Sequence, residues 1–279
     1  MADRLEALLN HYTVTAQMFH SGPLCGINEL PAQGDLGQLH LIKEGPIEVS
    51  HAGHASIQIS EPSLLFYPRP LTHRFRSDPQ RGADMACANL KFSGGMTNPI
   101  AAALPACICL PLAKVHGVQS ILAVLFEEAF NQRCGRRAMV DRLFEVVLIQ
   151  LLRHLMEAGE IRGGMLAGLA HPKLRHALIA MHEKPADEWS LESLADASGM
   201  SRSTFADSFR DTLGCTPGIY LQSWRVSLAQ QALRRGRSLK MIAVEVGYGS
   251  EAALSRAFKA QSGVTPSEWR RGQDSAALS

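Results

Sequence analysis

Between residues 22 and about 111 the apolar positions come in short runs, often alternating with polar ones and broken by Gly, Pro, Asn and Asp. A period of two between turn residues marks half-buried strands. Six strands are predicted, at 38–43, 47–51, 56–60, 64–67, 73–76 and 85–92. Strands that recur every 8 to 12 or so residues build a sandwich or a small barrel. Before them, a short helix is predicted at 4–10, followed by an extended stretch up to residue 20.

Beyond Pro111 the period becomes helical, over 118–130 and over 138–157. The second segment is apolar on more than one face, through Leu143, Val146, Val147, Leu148, Leu151, Leu152 and Leu155. Its surplus is either a dimer surface or burial within its own domain. Four glycines in 158–168 then mark a flexible linker. Helices follow at 173–183, with Pro172 in the opening turn, and at 217–235. The fold class read from this order is α+β: a β-barrel with helices over 1–157, a linker over 158–170, and an all-α domain over 171–279.

The all-α part carries one unit twice. Ala195, Gly199, Ser201, Phe209 and Pro217 of the first copy correspond to Ala243, Gly247, Ser250, Phe258 and Pro266 of the second, with one extra residue before Ser250. Each copy reads as a short helix, a glycine turn and a second helix opened by Ser. That is the pattern of a helix-turn-helix, whose second helix enters the DNA major groove. Two copies in one chain imply that two adjacent groove segments are read without a partner.

Composition changes this picture little. The charged fraction is 19% and the apolar fraction 46%, as in a globular protein. No stretch reaches the roughly 20 apolar residues of a membrane span, and the first twelve residues do not resemble a signal peptide, so a cytoplasmic location is expected. There the six cysteines would be thiols or metal ligands. The net charge of +2 does not announce nucleic acid by itself. Residues 171–279 hold 14 Lys and Arg against 11 Asp and Glu, which leans the right way.

In the first recognition helix Phe205 and Phe209 form the buried stripe, leaving Ser201, Arg202, Ser203, Thr204 and Ala206 as DNA-contact candidates. Asp207 also points outward, where it would repel phosphate. In the second, Leu254 and Phe258 are buried, and Ser250, Glu251, Ala252, Ser255, Arg256 and Lys259 are the candidates. Arg256 is the favoured base reader, since Arg pairs bidentately with guanine. Arg202 and Lys259 suit phosphate. The second copy therefore offers the stronger reading surface.

The stretches LADASGMSRSTFADSFRDTLGCTPGIYLQSWRVSLAQQAL and IAVEVGYGSEAALSRAFKAQSGVTPSEWR resemble the DNA-binding domain of the AraC/XylS family of bacterial transcription regulators. The resemblance implies a two-lobed helical domain, promoter DNA as target and RNA polymerase as a further partner, with a monomer or homodimer as the assembly. It also implies an N-terminal sensor of the cupin type. Met18-Phe-His20, Leu24-Cys-Gly26, His40-Leu-Ile-Lys-Glu-Gly45, Pro68-Arg-Pro-Leu-Thr-His73 and Cys87-Ala-Asn-Leu-Lys-Phe92 are similar to one branch of these sensors. The usual Asp before the third His-bearing turn is replaced by Glu61-Pro-Ser63.

Cys25, His40, His73 and Cys87 lie on or beside strands that a barrel can gather, and two thiolates with two imidazoles suit a tetrahedral Zn²⁺. Without metal, Cys25 and Cys87 are candidates for a redox disulfide. Unrelated buried cysteines and histidines are the plain alternative. His51 and His54 could add ligands but are placed on an exposed turn, Cys107 and Cys109 are assigned to core and surface, and Cys134 sits among cations that would lower its pKa. The expected function is a DNA-binding regulator sensing oxidants or electrophiles, with zinc as candidate ion. The alternative is a regulator sensing a small organic effector in the barrel. A metal-cupin enzyme is a remote third reading, because the three-His and carboxylate pattern is missing. A fragment lacking residues 1–165 is expected to bind DNA as a monomer.

Overall fold

The computed structural model describes residues 3–276 except Ala52, His54, Met96, Thr97 and Arg162. Two compact units emerge: Tyr12–Ile161, and a second that joins Met1–His11 to Arg162–Ser279.

Among its described residues the first unit contains nine strands: β1 (Val14–Leu24), β2 (Ile27–Leu30), β3 (Gly37–Glu44), β4 (Ile47–His51), β5 (Ile57–Ile59), β6 (Ser63–Tyr67), β7 (His73–Ser77), β8 (Ala83–Phe92) and β9 (Ile108–Pro111). They form two antiparallel sheets, ordered β1-β8-β3-β6-β9 and β2-β7-β4-β5. All six predicted strands are present. β1 takes up the stretch read as extended, and the additional ones are β2 and β9, four-residue edge strands too short to show a period.

Alternation sorts the residues of the larger sheet onto two faces. Ile42, Leu65, Tyr67, Ala83, Met85 and Cys87 join Ile47, Val49, Ile59 and Phe75 of the smaller sheet in one interior cluster. Leu39, Leu41, Leu64, Phe66, Ala86, Ala88 and Leu90 take the opposite face and are fully buried as well. Two helices belong to this unit beside the short α2 (Pro99–Ala103): α3 (Gln119–Phe130) and α4 (Arg136–Glu157). α4 packs on β1, where Asp141 and Glu145 accept the Met18 and Ala16 backbone N–H groups at 2.7 and 3.1 Å. Most of its apolar surplus is buried: Val147, Leu148, Leu151, Leu152 and Leu155 are covered, while Val146 stays 39% exposed.

The second unit is helical: α1 (Glu6–His11), α5 (Gly164–Ala170), α6 (Leu174–Glu183), α7 (Leu191–Ala197), α8 (Arg202–Leu213), α9 (Pro217–Arg234), α10 (Leu239–Glu245), α11 (Glu251–Ser262) and α12 (Pro266–Ala276). Two expectations need correction here. The glycine-rich stretch 158–170 is not a free linker throughout, because Gly164–Ala170 forms α5 with Met165, Leu166, Ala167, Gly168 and Leu169 buried. α5 packs on α6 and α8. Gly168 serves close packing: a Cβ there would stand 2.5 Å from a Leu178 methyl and 2.9 Å from one of Leu213.

The second correction concerns α1. It packs on α6, with Leu5 and Leu8 buried and His11 edge-on to Trp224 at 5.8 Å. It therefore belongs to the helical unit. A fragment cut at residue 165 would lose α1 and the first two residues of α5.

Among the described residues no helix is long and apolar enough to cross a membrane.

Candidate nucleic-acid interface and barrel interior

The duplication extends through three helices per copy. Ser190, Ser201 and Thr216 cap α7, α8 and α9 by accepting the Ser193, Thr204 and Ile219 N–H groups. Ser238 and Ser250 do the same for α10 and α11, and Thr265 pairs with Glu268 at the start of α12. α8 and α11 both end at a left-handed glycine, Gly214 (φ 76°) and Gly263 (φ 77°). An aromatic contact repeats as well. Phe209 meets Tyr220 edge-on at 5.6 Å, and Phe258 meets Trp269 at 6.0 Å.

Burial agrees with the stripe read from the sequence. Phe205, Phe209, Leu254 and Phe258 are fully buried. Ser201, Arg202, Ser203, Thr204, Ser250, Glu251, Ala252, Arg256 and Lys259 are exposed, and Ala206 and Ser255 are half-buried. Asp207 pairs with Arg210 at 3.8 Å, one turn on, so this cation answers the acid that would otherwise face phosphate alone.

α9 connects the copies, and its Arg225 holds pieces of both. The guanidinium donates to the carbonyls of Pro185 (2.6 Å) and Asp187 (2.9 Å) ahead of the first copy, and to Gly247 (3.4 Å) in the turn of the second. It also lies 5.8 Å from the Tyr248 ring centroid. A planar five-donor fork suits such a three-carbonyl junction better than a lysine would. Nearby, His182 stacks on Trp224 at 4.0 Å and pairs with the Tyr220 hydroxyl at 2.7 Å. Burial pushes its pKa down to about 3, so it stays neutral at physiological pH.

Inside the barrel unit, His40 and His73 meet with their Nε2 atoms 3.1 Å apart. Tyr67 stacks on His73 at 4.3 Å, and Phe75 stands edge-on to both imidazoles at 5.0 and 5.2 Å. His73 Nδ1 donates to the Leu71 carbonyl at 2.8 Å, since a carbonyl only accepts. Its Nε2 therefore carries a lone pair, and His40 Nε2 supplies the proton between them. Burial first, and then the neighbouring imidazole of His73, drives the His40 pKa well below the ordinary value. Burial lowers that of His73 also. Both rings are neutral near pH 7. A cavity of about 350 Å³ lies beside His51 and His73, lined also by Glu29, Ser50, Thr72 and Arg74, the last held by Glu29 at 2.9 Å.

The four residues expected to share zinc are not gathered. Cys87 stands in register beside His40 on the next strand. Cys25 lies in the β1–β2 turn, so close to Gly82 that a Cβ there would approach its sulfur to 2.7 Å. Gly82 is five residues before Cys87, or roughly 16 Å of strand rise. The described residues form no group of three or more His, Cys, Asp or Glu side chains placed to hold a metal ion. The four therefore do not fit a single tetrahedral shell, and Cys25 and Cys87 do not face each other as disulfide partners. Burial pushes the Cys87 thiol up as well, which suppresses the reactive thiolate.

His51 is corrected too: it is a buried residue of β4, 6.0 Å from the Tyr67 ring, not part of an exposed turn. His54 lies outside the described residues. Cys107 and Cys109 are both partly buried against the interior cluster rather than divided between core and surface. Residues two apart on an extended segment share a face, and Ile108 between them is buried on the other.

A cupin family profile matches residues 3–157, and a helix-turn-helix domain profile matches residues 194–272. The chain is similar to a putative AraC-like transcription regulator of Streptomyces antibioticus, 40% identical over 172 residues, or 60% of this chain. The chain spans 57% of that relative's length. An uncharacterized HTH-type transcriptional regulator of Haemophilus influenzae is 27% identical over 84% of this chain and 86% of its own length. The RCS-specific HTH-type transcriptional activator RclR of Escherichia coli is 24% identical over 83% of each. Among solved structures, the DNA-binding domain of AdpA in complex with a target DNA is 29% identical over 38% of this chain and 95% of that chain, with a TM-score of 0.35. ToxT from Vibrio cholerae is 12% identical over 94% of this chain and 97% of that one, with a TM-score of 0.40.

Proposed function

Because the chain belongs to the AraC-type transcription regulators with an N-terminal cupin domain, we propose that it binds promoter DNA through both helix-turn-helix units under control of the barrel. The observation that carries this reading is the pair of Ser-capped helices, α8 and α11, each with one fully buried aromatic face and an exposed polar one. The helix N-termini, Ser201 to Thr204 and Ser250 to Ala252, approach backbone phosphates or base edges. Arg256 reads a base, and Arg202 and Lys259 neutralise phosphates. RNA polymerase is the further partner of such a regulator, and homodimerisation would add a second pair of readers.

Arg256→Ala is expected to weaken binding by roughly 1–3 kcal/mol and to relax preference at one base position. Selection of bound sequences from a random duplex pool checks this. Equal weakening on every sequence would make Arg256 a phosphate contact instead.

For the signal, the barrel opening supports a small polar effector over oxidation of Cys25 and Cys87. Its volume of about 350 Å³ falls within the range of small-molecule sites, and it is lined by two imidazoles, two hydroxyls and the Arg74–Glu29 ion pair. An effector with a carboxylate would compete with Glu29 for Arg74 and accept from Thr72 at the rim, while His73, on the opposite face of β7 from Arg74, forms the inner wall. His73→Phe keeps the bulk but removes the imidazole nitrogens. It is expected to abolish effector-dependent shifts in DNA affinity, read by fluorescence anisotropy against a panel of small organic acids. An unchanged response would move the effector elsewhere.

A further inference from the structure

We propose that Cys107 and Cys109 form a binding site for a thiophilic metal ion of low coordination number, Cu(I) being the chemical type, with the Tyr67 hydroxyl donating to a bound sulfur. Cys109 pairs with Leu65 across the β9–β6 ladder, and Cys107 lies one residue before that strand on the same face. Both thiols pack against the interior cluster that contains Tyr67. The Tyr67 side chain is 1% exposed, and its hydroxyl lies against Cys107 and Cys109. That oxygen has no hydrogen-bond partner of good geometry among the described residues. The Cys107 thiol is the polar group this hydroxyl meets, so the hydroxyl is placed to donate to a sulfur of the pair.

Geometry separates metal binding from oxidation. A disulfide needs Cβ atoms about 3.5–4.5 Å apart, whereas residues two apart on a strand are separated by about 6.6 Å of rise. Closing that bond would pull β9 out of its pairing with β6. Two metal–sulfur bonds of about 2.3 Å each bridge a much longer gap than one S–S bond. Soft thiolate ligands select Cu(I), and the described residues offer no third His, Cys, Asp or Glu to complete a shell for a four-coordinate divalent ion. Binding has to displace two thiol protons that burial holds on, the Cys107 thiol being pushed up to about 11, and leaves a bis-thiolate complex with one net negative charge, which the Tyr67 O–H stabilises by donation.

The site stands independently of the DNA-binding reading and is tested without DNA. The full-length protein, reduced and under anaerobic conditions, is titrated into the coloured Cu(I)–bicinchoninate complex. One equivalent of Cu(I) is expected to be withdrawn by the wild type and by Cys87→Ala, and none by Cys107→Ser or Cys109→Ser. Tyr67→Phe is expected to keep the stoichiometry with affinity reduced about tenfold to a hundredfold. Retention of the full equivalent by folded Cys107→Ser and Cys109→Ser, or its loss in Cys87→Ala, overturns the assignment. Should the serine variants fail to fold, alkylation of the wild type decides. Cu(I) is expected to protect Cys107 and Cys109 from iodoacetamide, and unprotected labelling at both overturns the proposal.

Discussion

Phe209→Ala is expected to destabilise the helical unit by about 3–5 kcal/mol, the usual range for truncating a buried phenylalanine. The ring is fully buried, 5.5 Å from Phe205 and 5.6 Å from Tyr220, so it joins the first recognition helix to the strut α9. A domain typically has only about 5–15 kcal/mol in hand, so the loss is a large share of the total. The three tryptophans, Trp189, Trp224 and Trp269, all lie in this unit, which makes their fluorescence a local probe of its unfolding. Urea titration followed at those rings is expected to show a much lower midpoint with an unchanged slope. A midpoint within error of the wild type would mean that neighbouring side chains refill the space.

Gly247→Ala is the second large effect, and its counterpart Gly199→Ala supplies the control. Both glycines occupy the turn of a helix-turn-helix with positive φ, 82° and 59°. Any side chain in that region costs about 1–2 kcal/mol. The surroundings differ. A Cβ on Gly199 meets nothing within 4 Å, whereas one on Gly247 would stand 2.7 Å from the Ala186 Cα, 2.8 Å from the Ala186 carbonyl oxygen and 3.0 Å from Arg225 Nη2. Two of these are backbone atoms and cannot swing aside. The added overpacking is worth about 1–3 kcal/mol, and relief would push the second turn away from the Arg225 junction. Gly199→Ala is expected to lower stability modestly. Gly247→Ala should lower it by roughly twice as much and weaken DNA binding beyond what the stability loss explains. Equal losses in the two variants would show that backbone strain alone matters and that the contact with Ala186 yields easily.

The contrast between these glycines also shows where reading the chain succeeds. Their equivalence was legible because the repeat is local: caps, turn glycine and the i, i+4 aromatic stripe all fall within about 25 residues. The burial of Phe209 and Phe258 and the outward placement of Arg202, Arg256 and Lys259 follow from helix geometry alone. The packing of Gly247 on Ala186 does not, because it depends on how α9 brings the copies together. The six central strands were legible through alternation and turn residues.

What was misread depended on long-range pairing. Cys25 and Cys87 are both strand-associated, yet only the register β1–β8 reveals that Cys25 falls beyond the start of β8 while Cys87 sits at its middle. The glycines of 158–168 suggested freedom, but Gly168 is small because Leu178 and Leu213 press on it. His51 looked like part of a His-Ala-Gly-His turn, although the pairing of β4 with β7 puts it opposite His73 inside the unit. The twofold faces of Cys107 and Cys109 were available from period two, and the correct rule assigns them the same side.

The membership of α1 in the helical unit has a consequence for biosynthesis. α1 leaves the ribosome before any of the barrel, yet its packing partner α6 begins only at Leu174. At roughly 5–20 residues per second the interval is on the order of ten seconds or more. During that time Leu5 and Leu8 have no native surface to cover them, while the whole of Tyr12–Ile161 is completed. The barrel is thus an insertion between the first helix of the helical unit and the rest, and the unit that would read DNA can finish folding only after the unit that would regulate it has been made.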